Sequence, residues 1–440
     1  MEVKELFNDY KKELLKNKED FIKEYKIVKQ AVEESPARYK GKPVEFLYQP
    51  MLLSDEDLNQ FDKLTQQLMT ILNKVIDNYL MNPDFRKCFH FSPLLEKLIL
   101  KDHGYRNNIP MGRFDIFYHY DGGFQFCELN ADGSSGMIEQ RELQRIFLNT
   151  RAIKNLQYEL KGFQLFDSWV DALLENYREF SKDDRKPNVA IMDWISTEVP
   201  SEFIEFKKSF EEKGCPTVIV DPRWLKYKEG ALYYEDFKID CIYRRAVTWE
   251  IIERAHEIQD FLDAYMAGDI CVVGPIRSQI IHNKIIFAIL HDTEKTSFLT
   301  EEERGFIKNH IPYTTIFNSS DNNMVSYTID NKDKLVLKPM DKYASKGVRI
   351  GRDFNNDEWK RIIMEEATED YLLQEFCSVP TMPMAKFSDD DVDFYDFNYI
   401  IGLFMYNGRF QGPYTRVGTH SIIGSIVECY TVPNYWLKEK

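Results

Sequence analysis

Three features of this 440-residue sequence predict an α/β fold. Apolar residues recur at three-to-four spacing through most of the first third. Period-two alternation takes over at 113–130, and from residue 188 short apolar runs alternate with helical text. A chain of this length supports about two or three packed subdomains.

The elements follow in order. Val3, Phe7, Tyr10 and Leu14 share a helical face, and Phe21, Tyr25 and Val28 continue it before Pro36. Ser54 is placed to cap a second helix, because Asp55, Glu56 and Asp57 follow it and suit the positive helix end. Phe61, Leu64, Leu68, Ile71, Val75 and Tyr79 form that helix's apolar stripe, and both stripes read as core-facing. Residues 113–120 alternate, Asp121-Gly122-Gly123 is a turn, and 124–130 is a second strand. Helical text resumes from 137 to 177, and the polar, Pro-terminated stretch 181–187 reads as a boundary. NVAIMDW then predicts a buried strand, SEFIEFKKSFEEKG a helix stopped by Gly214, TVIVDP a strand, and LYYEDFKIDCIYRR one or two more. This is a small Rossmann-like layer, without the GxGxxG that a dinucleotide site needs. After Gly274-Pro275 come a helix carrying Lys284, strand LVLKP, a polar loop to Gly351, a helix at 358–366, strand YLLQEF, and a hairpin turning at Asn407-Gly408. The acidic segment 387–396 reads as a solvated loop. Four parts are expected: 1–104 helical, 105–186 with the first hairpin, 187–275 as the Rossmann-like layer, and 276–440.

Composition excludes several classes. Lys and Arg number 57 against 72 Asp and Glu, so the net charge is −15, which disfavours nonspecific nucleic-acid binding. Apolar runs such as 285–290 are far shorter than the roughly 20 residues of a membrane span. The N-terminus has no signal-peptide character, and the seven Cys are scattered without CxxC spacing. A disulfide framework is therefore not expected, and a cytoplasmic location is. The eight His are scattered and read as core or surface residues.

Most chemistry concentrates in MGRFDIFYHYDGGFQFCELNADGSSGMIEQ. Alternation puts Arg113, Asp115, Phe117 and His119 on one face of the first strand, and Phe124, Phe126, Glu128 and Asn130 on one face of the second. A two-residue turn pairs positions summing to 243 or 245, which sets Asp115 opposite Glu128 or Asn130; a three-residue turn would split them. Carboxylates facing each other across strands repel unless a cation lies between. An all-oxygen Asp, Glu and Asn set suits Mg2+, while a solvated polar face explains the same residues without metal. The small residues 131–136 before a helix would offer backbone N–H groups to an anion, or would simply be a Ser-capped helix start. In LVLKPMDKYASKGVRIG, Lys338 ends an apolar strand within reach of a phosphate, and Lys342, Lys346, Gly347 and Arg349 follow in a polar loop. In YLLQEF, Gln374 and Glu375 would suit an adenine and a ribose. Arg244-Arg245 would serve an anionic substrate or form a surface pair.

The ordered set RFD, ELNADGSSG, Asn283-Lys284, VLKP, LLQEF and GPYTRVG resembles the synthetase part of the glutathionylspermidine synthase family. The resemblance covers 105–425 and implies a circularly permuted ATP-grasp fold, with the Rossmann-like layer as its pre-ATP-grasp part. It implies an ATP-dependent carboxylate–amine ligase working through an acyl phosphate. Asp115, Glu128 and Asn130 would be Mg2+ ligands, with two ions expected. Arg113 and Arg416 would stabilise the transferring phosphoryl group. Ser135, with Ser134 beside it, would lie near the reacting carboxylate. Lys284 and Lys338 would hold nucleotide phosphates, Gln374 and Glu375 the adenine and ribose, and Lys346 and Gly347 a phosphate-covering loop. The implied partners are small-molecule acid and amine substrates, with no nucleic acid and no membrane; a homodimer is compatible. Gly133 stands where some relatives carry a hydroxyl residue, and the amidase half of bifunctional members is not expected here. A non-catalytic nucleotide-binding or scaffold protein on the same fold is the competing reading.

Overall fold

The computed structural model describes residues 3–120, 122–156, 158–196, 198–340, 347–367, 370–388, 390–424 and 428–437. The N-terminal helical stripe is broken at Asn17 into helices Val3–Lys16 and Lys18–Glu34. Leu6, Tyr10, Leu14, Phe21, Val28 and Val32 bury the shared face. Ser54 caps helix Asp55–Met81 as expected, in a reciprocal capping box with Asp57. Ser54→Ala should lower stability by about 1 kcal/mol, the ordinary worth of such a cap, measurable by urea unfolding.

The first hundred residues are not purely helical. Strand Met51–Leu53 pairs in parallel with Asn434–Leu437, so the chain's late residues are sewn to its early ones. Helical text at 137–177 is also interrupted, giving Met137–Phe147, Arg151–Lys154 and Leu165–Ser181.

Three sheets position the site. A parallel four-stranded sheet runs Cys271–Val273, Cys241–Arg244, Val189–Met192, Thr217–Val220. Strands Val189–Met192 and Cys271–Val273 are continuous, fully buried apolar runs, as a sheet covered on both faces requires. Ala231–Tyr234 and Phe237–Ile239 do not join it; they form a separate antiparallel sheet with Leu225–Lys228. A second four-stranded sheet, antiparallel, runs Thr314–Ile316, Tyr371–Glu375, Leu335–Pro339, Arg349–Ile350.

The six-stranded antiparallel sheet is central: Tyr430–Val432, Arg409–Gly418, Val392–Tyr406, Met111–Tyr118, Phe124–Asn130, with Thr381–Phe387 on the outer part of Val392–Tyr406. Asn407 and Gly408 both adopt positive φ, +47° and +77°, the turn that matches strand twist in a two-residue hairpin. The acidic segment 387–396 is a hairpin rather than a solvated loop. Phe387 and Val392 are buried against the N-terminal helices, and Asp391 pairs with Lys18. Composition hid this strand, because Asp393 and Asp396 are exposed along it while Val392 and Phe397 are buried. Among the described residues no helix is long and apolar enough to cross a membrane.

Candidate active site

The hairpin register places Asp115 opposite Glu128 and Arg113 opposite Asn130, though not by the expected turn. Near the loop 119–123 the pairs are Tyr118–Phe124, Phe117–Gln125 and Ile116–Phe126. Those positions sum to 242, which continued would send Glu128 and Asn130 to the core face. A bulge at Cys127 inserts one unpaired residue and restores the face. Phe124 and Phe126 therefore lie in the core beside Ile116 and Tyr118, and the expectation that they share a face with Glu128 and Asn130 is corrected.

Asp115 is fully buried, and its two carboxylate oxygens are taken by two guanidiniums. Arg113 donates from Nε to Oδ1 at 2.9 Å and from Nη2 to Oδ2 at 3.4 Å; Arg416 donates from Nη2 to Oδ2 at 2.6 Å. Arg416 reaches Asp115 across strand Val392–Tyr406, over Gly402, whose partners on either side are Tyr414 and Asp115. A Cβ on Gly402 would stand 2.7 Å from Asp115 Oδ1 and 2.8 Å from Arg113 Cδ, so only glycine leaves room for this cluster. Burial opposes the charge on Arg416, but Asp115 together with Tyr414, Cys429 and Glu128 outweighs it and raises its pKa. Among the described residues Arg416 pairs with Asp115 and not with the acidic 387–396 segment. Its Nε is buried without a partner among the described residues.

These groups open on a cavity of about 1030 Å3. Arg113, Glu128, Asn130, Lys284, Lys338, Gln374, Glu375 and Arg416 all line it, and Asp115 stands behind its arginines. Lys284 is not inside a helix; it sits at the break between helices Gln279–His282 and Ile285–His291, where its Nζ meets Glu128 Oε1 at 3.1 Å. Burial would raise the Glu128 pKa, but the charges of Lys284, Arg113 and Arg416 hold it below the usual carboxylate range. Lys338 donates to the Cys127 carbonyl at 3.4 Å, and burial lowers its pKa. Gln374 donates to Thr314 Oγ1 at 2.8 Å, and Glu375 is exposed at the strand end. Gly347 makes a turn at φ +78°; Lys342 and Lys346 lie outside the described residues.

Residues 131–136 are held from behind. Glu202 accepts from the backbone N–H of Gly136 and of Ile138, so the helix start at Met137 is neither Ser-capped nor free for an incoming anion. Arg244 and Arg245 are buried clamps on this loop rather than a surface pair or substrate ligands. Arg244 donates to Asp132 Oδ1 at 2.5 Å and Arg245 to the Ser134 carbonyl and to Glu202. Removing one partner of a buried pair strands the other, so Arg244→Ala should cost about 3–5 kcal/mol in chemical unfolding. Ser134 spends its hydroxyl on the Asn130 carbonyl at 3.0 Å, whereas the Ser135 carbonyl accepts from Arg113 Nη1 at 2.7 Å.

The donors suit Mg2+ in type. Glu128 and Asn130 sit two apart on the open face and Asp115 is directly across from Glu128, all with oxygen donors. Among the described residues no three His, Cys, Asp or Glu side chains already form a metal-sized cluster, because Asp115 is turned to its arginines.

Gly402 and Tyr414 escaped the sequence reading. A glycine inside the apolar run YIIGLFMY was the available signal for a close approach.

Strands Met111–Tyr118 and Phe124–Asn130 precede the lysine-bearing strand in sequence yet face it across one cavity. The fold is that of the ATP-grasp-like synthetases, in circularly permuted order. The model of the family described as glutathionylspermidine synthase pre-ATP-grasp matches residues 29–426, and the chain belongs to that family. The family is one of ligase-type synthetases, for which ATP use is general. The apo structure of a glutathione synthetase-like effector from Globodera pallida superposes with a TM-score of 0.65 at 12% identity, over 95% of this chain and 97% of that one. At this identity the likeness is one of fold. A protein assigned as a gamma-glutamylcysteine synthetase from Methylobacillus flagellatus aligns at TM-score 0.42 and 11% identity, over 87% and 89% of the two chains, which is too loose to carry an argument. No curated protein sequence matches the chain significantly.

Proposed function

We propose that the chain is an ATP-dependent, ADP-forming carboxylate–amine ligase. The observation that carries this reading is the convergence of Arg113 and Arg416 on Asp115, at the cavity that Lys284 and Lys338 also line. A carboxylate oxygen of the acid attacks the γ-phosphorus of ATP, the β–γ bridging P–O bond breaks, and ADP leaves. The amine then attacks the acyl carbon, the C–O bond to phosphate breaks, and the amine gives up a proton as the amide forms.

The chain's own groups orient and neutralise. Lys284 and Lys338 hold phosphates, and Gln374 and Glu375 hold the adenine and ribose. Arg113 and Arg416 present donors to the equatorial oxygens of the transferring group, where charge spreads in the transition state. Asp115 fixes both guanidiniums without facing the cavity. Ser135 lies beside Arg113, near the acid. Glu128 and Asn130, which face the cavity, are the residues that would hold Mg2+, whereas Asp115, engaged by its two arginines, is not turned toward that position. Bound there, the ion would neutralise phosphate charge. The family resemblance gives Gly347 and Lys346 to phosphate binding; Lys346 lies outside the described residues.

The test is acid-dependent ADP release from a pool of carboxylic acids and amines, with mass detection of the product. Hydroxylamine as a substitute amine should yield a hydroxamate. Nucleotide binding without acid-dependent ADP release across the pool would remove the ligase reading and leave a binding protein.

A further inference from the structure

We infer that Tyr414 is a positioning residue for the paired arginines, its ring fixing both guanidiniums and its hydroxyl anchored by Glu139. The kinetic part of this inference rests on the ligase reading; the geometric part does not.

Tyr414 lies two residues before Arg416 on strand Arg409–Gly418, so both side chains leave the same face. It begins a cross-strand row that continues through Gly402 and Asp115 to Glu128. Because Gly402 has no side chain, the Arg113 stem crosses that hollow; a Cβ there would meet its Cδ and Cγ at 2.8 and 2.9 Å. The Arg113 guanidinium carbon then stands 5.6 Å from the centre of the Tyr414 ring, and that of Arg416 stands 6.0 Å away. Both lie within reach of the negative face of an aromatic ring.

The ring is closely packed. Gly136, at φ +109°, backs it so closely that a Cβ would lie 2.9 Å from two ring carbons. The Tyr414 hydroxyl donates to Glu139 Oε2, which also accepts from Thr431 Oγ1 at 3.3 Å. Glu139 is buried on the first turn of helix Met137–Phe147, directly after the loop whose Ser135 carbonyl accepts from Arg113.

The chemistry favours an aromatic ring here over a second acid. Two guanidiniums share one carboxylate, so they repel and need further attraction to stay close. A second carboxylate would supply it but would consume the N–H donors a phosphoryl group must use. A ring attracts both cations through its face and accepts none of those donors.

The experiment compares Tyr414→Leu, which removes the ring, with Tyr414→Phe, which keeps it. In protein labelled with 15N-arginine, the Arg113 Nε–H bonded to Asp115 should lose its protection from exchange in Tyr414→Leu and keep it in Tyr414→Phe. With ATP, hydroxylamine and an acid identified by the screen, Tyr414→Leu should lower kcat roughly 10- to 100-fold, the scale of a displaced catalytic group, at little-changed KM for ATP. Tyr414→Phe should retain most of the rate. Where Tyr414→Leu does not fold, Tyr414→Met replaces it. Retained protection in a folded ring-less variant, or equal loss in the Phe variant, overturns the inference. If the unaltered protein shows no turnover with any acid, the ligase reading fails and the exchange measurement alone decides the role of Tyr414.

Discussion

Arg416→Lys should lower kcat by roughly 100-fold or more, the scale of losing one preorganised donor to a transition-state oxygen, while leaving the KM for ATP nearly unchanged. Arginine presents a planar fork of donors, one of which now engages Asp115 at 2.6 Å while another, Nε, is left without a partner among the described residues. Lysine keeps the charge and loses the fork, so it can satisfy Asp115 or the phosphoryl oxygens but not both. The nucleotide should bind much as before, because Lys284, Lys338 and the strand Tyr371–Glu375, which also reach the cavity, are unchanged. A fall in kcat with steady KM identifies an interaction made mainly in the transition state. Near-normal kcat in a folded variant would make Arg416 a structural partner of Asp115 and no more.

Gly402→Ala is the second change with a large expected effect, although Gly402 carries no chemistry. Its backbone is ordinary extended strand, so the cost is steric. The new methyl would stand 2.7 Å from Asp115 Oδ1 and under 3 Å from the Arg113 stem, and side chains do not tolerate that approach. Overpacking of this kind costs about 1–3 kcal/mol of stability. The activity should fall further, on the order of 100-fold, because the displaced atoms are the ones that align both guanidiniums. Urea unfolding and acid-dependent ADP release on the same preparation separate the two effects. Unchanged turnover in the alanine variant would show that the arginine cluster can shift without consequence, and the proposed alignment would fall.

Much of the molecule was legible locally. Ser54 and its acidic followers announced a helix start, and Asn407-Gly408 announced a hairpin, because capping and turn chemistry act within a few residues. The apolar runs around Val189–Met192 and Thr217–Val220 announced a sheet covered on both faces. The ordered motifs, taken together, carried the family.

The acidic segment 387–396 misled because Asp393 and Asp396 are exposed on a strand, and composition alone cannot separate that from a loop. Arg244 and Arg245 misled because a charged pair looks exposed until a buried partner is known, and Asp132 lies 112 residues away in sequence. Glu202 likewise reaches the Met137–Phe147 helix start from a distant helix, which no cap motif near Gly136 could reveal.

The sequence by itself determined which residue types would meet: two carboxylates, an amide, two arginines and two lysines. Only the tertiary structure decided how they meet. The face of Glu128 depends on one extra residue at Cys127, and a bulge shifts parity in a way that no two-residue period anticipates. The meeting of Arg416 with Asp115, 301 residues apart, depends on one intervening strand and on the hollow left by Gly402. Sequence patterns report what a residue does to its neighbours in the chain, whereas strand pairing sets distances between residues that share no window, and the proposed chemistry requires those distances.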